Sequence, residues 1–206
     1  MSCYEWESGT ITLPAAEVSK MRAALNTAHL AQTKRVTALL NRVWPEVKKL
    51  PADQRNRKVS SWNFPNAHTL ADGETWGDLE SLFYASKGRK PTAEHWKSSL
   101  AAPSTNRTRE WRCGEATVSL EGRNLTWDVP DNNHAVDHAR ETWLGKALFT
   151  QLAKVKWTRG SGGYFVGNNE YNGDCGTPGA GGNYITESFG PTGKKAEMRH
   201  RGFTSI

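Results

Sequence analysis

Three groups of cations stand out along the chain. Lys20, Lys34, Arg35 and Arg42 recur in one periodic stretch, and Arg55-Asn56-Arg57-Lys58 forms a compact run. Lys87, Arg89, Lys90, Arg107 and Arg109 follow in the segment 87–112. Trp62, His95, Trp96 and Trp111 are interleaved with them. Lysine and arginine neutralise phosphates and release their counterions. Flat rings stack on unpaired bases. The set that would contact nucleic acid is therefore Lys20, Lys34, Arg35, Arg42, Arg55, Arg57, Lys58, Arg107 and Arg109, with Trp62 and Trp111 as stacking rings. The competing reading is a solvated basic surface over a tryptophan-anchored core.

His134, His138 and Glu141 are spaced by four and three, which puts them on one face of a helix. Imidazoles at i and i+4 with a carboxylate one turn on can hold a metal ion. The acid of an HExxH motif is absent, and an ordinary polar helix face explains the same residues. Arg159-Gly160-Ser161-Gly162-Gly163 resembles a phosphate loop only in its glycines. Phosphate cradles lead into a helix, whereas the flanks here read as strands, so a hairpin loop is the better account. Cys113 and Cys175 have no neighbouring base in sequence, and no GxSxG is present. Pairing with His134 or His200 would have to be made in space. The amide-rich run at 167–174 suits adaptable protein recognition. No cofactor is expected.

The 206 residues fit one domain, or a main domain with a helical appendage. Hydrophobic residues make up only 36%, but nine tryptophans supply large buried areas. The formal charge of +6 favours an anionic partner. Three widely spaced cysteines make neither a disulfide framework nor a zinc ladder, and fit reduced thiols in a cytoplasmic protein. There is no apolar run of membrane-spanning length. The polar, acidic start Met1-Ser2-Cys3-Tyr4-Glu5-Trp6-Glu7 does not read as a signal peptide.

The elements that must position these residues follow from periodicity. Residues 9–13 alternate as a short strand. After Pro14, the residues Val18, Met21, Leu25, Ala28, Val36, Leu39 and Val43 form one helical stripe, interrupted by Gln32. Pro45 should end that helix near Trp44. Residues 45–70 read as mostly irregular. Thr75 and Asp78 suggest a cap for a helix carrying Trp76, Leu79, Leu82 and Phe83, closed by Gly88. A further helix is expected over 91–100, and with the preceding one it loosely suggests a helix-turn-helix.

The polar stretch 103–112 reads as a linker between regions 1–102 and 113–206, unless the two pack as one domain. Beyond it, 116–120 and 125–129 form a hairpin, and Asp131 caps a helix reaching about Lys154. Residues 155–159 and 164–166 form a second hairpin, and 184–189 adds a strand. The fold class is α+β: a helical N-terminal half, then an antiparallel sheet in the order β-β-α-β-β-β with one helix packed on it.

The opening Tyr4-Glu5-Trp6-Glu7-Ser8-Gly9-Thr10-Ile11-Thr12-Leu13-Pro14 and the block Gly162-Gly163-Tyr164-Phe165-Val166-Gly167-Asn168-Asn169-Glu170-Tyr171-Asn172 resemble proteins of unassigned activity from actinobacteria and their phages or plasmids. The resemblance implies a bacterial cytosolic setting on a mobile element. Accessory proteins of such elements act on nucleic acid or block host defence complexes. The leading expectation is a non-enzymatic accessory protein that binds nucleic acid or nucleoprotein through its basic surface. The second is a protein-binding inhibitor or adaptor acting on a nucleic-acid-processing complex. A metal-dependent enzyme is the third. No membrane partner is expected.

Overall fold

The computed structural model describes residues 4–59, 63–99, 108–113, 116–131, 142–170 and 183–190. Strand β1 (Tyr4–Thr12) leads into the 33-residue helix α1 (Ala15–Val47). Four shorter helices follow: α2 (Ala52–Lys58), α3 (Ala67–Leu70), α4 (Gly73–Ala85) and α5 (Ala93–Ser99). Strands β2 (Thr108–Cys113), β3 (Ala116–Glu121) and β4 (Asn124–Asp131) precede helix α6 (Trp143–Leu152). Strands β5 (Gly162–Glu170) and β6 (Asn183–Phe189) close the sheet. No helix among the described residues is long and apolar enough to cross a membrane.

The mixed architecture follows the expected class: a helical N-terminal half and an antiparallel sheet with a helix packed on it. All strands pair antiparallel in the order β2-β3-β4-β1-β5-β6. The N-terminal strand thus lies inside the sheet built by the C-terminal half. Gly9 makes room there, since a Cβ would fall 2.2 Å from the Trp127 ring.

Two cores lie along α1. Its first half, through Met21 and Leu25, packs with α6 and the inner face of the sheet. Its second half, through Val36, Leu39 and Val43, packs with Trp76, Leu79 and Phe83 of α4. Gln32 falls at the seam, fully buried, and its Nε2 donates to Asp78 Oδ2 at 2.6 Å. The polar interruption in the stripe is therefore a cross-helix hydrogen bond. A second polar link crosses nearby, where Glu74 on α4 accepts from the backbone N–H of Trp143 at 2.6 Å.

Several boundaries differ from the expectations. Helix α1 runs through Pro45 to Val47, because burial of Val47 in the second core offsets the one lost backbone bond. The region 45–70 contains α2 and α3. The cap of α4 is Asp72, which accepts from Thr75 N at 2.7 Å, while Thr75 and Asp78 are buried within the helix. Residues 108–112, the last part of the expected linker 103–112, belong to a strand. Trp111 and Cys113 alternate with the more exposed Glu110 and Arg112 there, and basic composition hid that alternation. Residues 155–159 form no strand. Asp131 ends β4, and α6 is capped by Thr142, whose hydroxyl accepts from Gly145 N at 3.0 Å; residues 132–141 of the expected helix lie outside the described residues.

Candidate nucleic-acid interface

The C-terminal end of α1, helix α2 and the C-terminal end of α4 meet at one end of the helical lobe. Arg55 joins them. Its Nε donates to Leu50 O at 2.8 Å, its Nη2 to Lys48 O at 3.0 Å and its Nη1 to Gly88 O at 3.2 Å. The guanidinium also lies 5.6 Å from the Trp44 ring centroid. A planar fork can satisfy three carbonyls at once, which an ammonium cannot do in this geometry. Arg55 is therefore spent within the fold, and its function is to bring the turns at 48–50 and 86–90 together.

The 86–90 turn is held from several sides. Lys87 has φ of 50°, rare for a residue with a side chain, and Gly88 has φ of 71°. Gly88 lies so close to α2 that a Cβ would sit 2.2 Å from Ala52 O. The buried Ser86 hydroxyl lies 2.7 Å from Arg89 O. Against this fixed backbone, Lys87, Arg89 and Lys90 are exposed.

The segments 46–58 and 86–90 together hold eight cations and two carboxylates, Glu46 and Asp53. That surplus equals the formal charge of the whole chain, +6. The remainder of the chain is balanced, so the excess charge is concentrated here. Among the described side chains of the patch, Lys49 is paired, to Glu46 at 2.8 Å, and that pair is exposed and weak. Arg57 and Lys58 belong to this end as residues of α2. Tyr84, 80% exposed, lies at the base of the turn, and its carbonyl accepts from Lys87 N at 3.1 Å.

The other predicted contacts distribute differently. Lys20 is bonded to Glu17, a buried acid, at 2.9 Å. Lys34 is exposed on α1. Arg35 and Arg42 line a cavity of about 200 Å³ with Ala38, Leu39, Leu70 and Asp72. Arg42 reaches Leu70 O at 3.4 Å. Burial alone would raise the Asp72 carboxyl pKa, but the Thr75 N–H and hydroxyl and the nearby Arg35 charge outweigh it and lower it.

Arg109 lies on β2, which belongs to the sheet rather than to the basic end, and its guanidinium is 5.9 Å from the Trp111 ring centroid. Trp111 itself is 1% exposed, with Nε1 donating to Asn26 Oδ1 at 3.1 Å. A ring so enclosed offers no face to a base, and Trp111 acts as a core residue. Arg107, Trp62 and the trio His134, His138 and Glu141 lie outside the described residues.

The remaining motifs make contacts within the fold where they fall on described residues. The Cys113 thiol faces Glu74 Oε1 at 3.5 Å, and burial first, then the charges of Asp78 and Glu74, push its pKa far up. A thiol held protonated is a poor nucleophile. At the glycine-rich loop, Ser161 is buried and accepts from Arg123 Nη2 at 2.9 Å, which ties the turn to the β3–β4 hairpin. Residues 167–170 of the amide-rich run belong to β5. Among the described residues, no group of three or more histidine, cysteine or acidic side chains could hold a metal ion.

The contact set expected from the sequence omits Lys48, Lys49, Lys87, Arg89, Lys90 and Tyr84 of this end. The signal for Tyr84 was its position, since it falls outside the apolar stripe Trp76, Leu79, Leu82 and Phe83 of its helix. No family model, curated protein or solved structure matches this chain.

Proposed function

We propose that this protein is a non-enzymatic accessory protein that binds nucleic acid, or a nucleoprotein, through the basic end of its helical lobe. The observation that carries the reading is the Arg55 clamp, which draws together the segments 46–58 and 86–90 that hold the chain's excess charge. Such a patch suits a polyanion, because each phosphate neutralised releases counterions. Exposed Lys34, Arg35 and Arg42 extend the cationic surface along α1. The setting is cytoplasmic, in keeping with the reduced state expected of the cysteines. Retention of labelled DNA or RNA on the purified protein tests the reading: binding should be present at low salt and fall steeply toward physiological salt.

A second reading, a protein-binding inhibitor or adaptor, is favoured by the Arg35–Arg42 cavity. At about 200 Å³, it is smaller than the ~300–1,000 Å³ usual for free small ligands. With an apolar floor between two arginines, it fits one side chain of a partner protein. Reversal of charge at Lys34 and Arg35 with unchanged nucleic-acid binding, but lost binding to a protein partner, would favour this second reading.

A further inference from the structure

We infer that Tyr84 is a base-stacking platform, and that the basic end takes an unpaired strand rather than a duplex. The inference rests on the nucleic-acid reading above and names its partner. Among the described residues, Tyr84 and Leu30 are the two exposed large hydrophobic side chains. A single exposed apolar residue is ordinary. Tyr84 differs in its place, three residues before Lys87 at the start of the turn that carries Lys87, Arg89 and Lys90.

Its support is rigid. The preceding residues Leu82 and Phe83 are fully buried in the second core. The following residues are held by Ser86, Gly88 and Arg55. Tyrosine has only two side-chain torsions, so ordering its ring costs little entropy. An exposed ring at the start of a turn whose held backbone carries cations is the combination by which single strands are bound with little sequence preference. A duplex keeps its bases stacked and offers such a ring no face. Trp111, which the sequence presented as a stacking ring, is enclosed in the core.

The experiment compares a short labelled oligothymidine with a duplex of equal length, using the full chain and three variants. The unsubstituted protein should bind the single strand more tightly. Tyr84→Ala should weaken that binding roughly 5- to 150-fold, the span of one lost base stack, without changing the slope of log affinity against log salt. Tyr84→Phe should restore it. Lys87→Ala should reduce the slope by about 0.7, one phosphate contact on a single strand.

Because Tyr84 is exposed, its replacement leaves the core intact. If Tyr84→Ala binds like the parent while Lys87→Ala is weakened, the inference is overturned and the nucleic-acid reading stands. A duplex preference unaffected by Tyr84→Ala overturns it equally. Failure of the parent to bind either probe removes the reading and the inference together.

Discussion

Gln32 is the residue on which the joint between the two cores turns. Its amide donates to the buried Asp78 carboxylate at 2.6 Å. Replacing Gln32 by Leu would take a donor from a carboxylate screened from water, which costs about 1–3 kcal/mol. Urea denaturation should show that loss as a lower midpoint with an unchanged m-value. Arg55 should behave differently from the other cations. Arg55→Lys keeps the formal charge but cannot hold Leu50, Lys48 and Gly88 together. Loss of those charge-assisted bonds should cost about 1.5–3 kcal/mol, visible as a lower melting temperature, whereas Lys90→Ala should leave stability within about 0.5 kcal/mol.

At the scale of elements, the cap of α4 carries a pH signature. The folded Asp72 carboxyl titrates below its ordinary value of 3.8. Its contribution is complete above that value and is lost as pH falls through the lower folded value. Asp72→Ala should therefore cost about 1 kcal/mol at neutral pH, with the difference from the parent shrinking in strong acid. Thermal melts of both proteins at several pH values measure it. Gly88→Ala should be costlier than a usual left-handed penalty of ~1–2 kcal/mol, because its Cβ would meet Ala52 O and the turn would have to lift from α2.

The elements also mark how much was legible. The α1 stripe and the alternating runs at 116–120 and 125–129 are readable because Val118, Leu120, Leu125 and Trp127, like the stripe, are buried at a regular period. The strand at 108–113 is not, since only Trp111 and Cys113 face inward and charged neighbours dominate the window. A hydroxyl and an acid three apart, Thr75 and Asp78, imitate a capping pair and point to a start of α4 at Thr75. Tertiary burial of Asp78 against Gln32 gave that acid another partner. Among the site residues, the run at 55–58 was visible as charge. Sequence composition shows charge but not whether a side chain is spent on carbonyls, as Arg55 is, or enclosed, as Trp111 is.

Across the whole molecule, α1 ties the cores together. One helix supplies Met21 and Leu25 to the first and Val36, Leu39 and Val43 to the second, while β1 is paired on both sides within the sheet. The first core also draws on both sides of residues 103–112, with Met21 and Leu25 beside Val118 and Leu148. Melting of one core should release the other. Tryptophan fluorescence and far-ultraviolet circular dichroism should give coincident unfolding transitions, and two separated transitions would contradict that coupling.

The charge distribution is the other global property, and it carries the functional account. The most direct measurement is the affinity of a labelled oligonucleotide across a salt series, for the parent and for Lys87→Glu/Arg89→Glu/Lys90→Glu. The parent should lose affinity along a straight log–log line, and the triple variant should bind far more weakly with a shallower line. Equal affinity and equal slope in the two proteins would contradict the account.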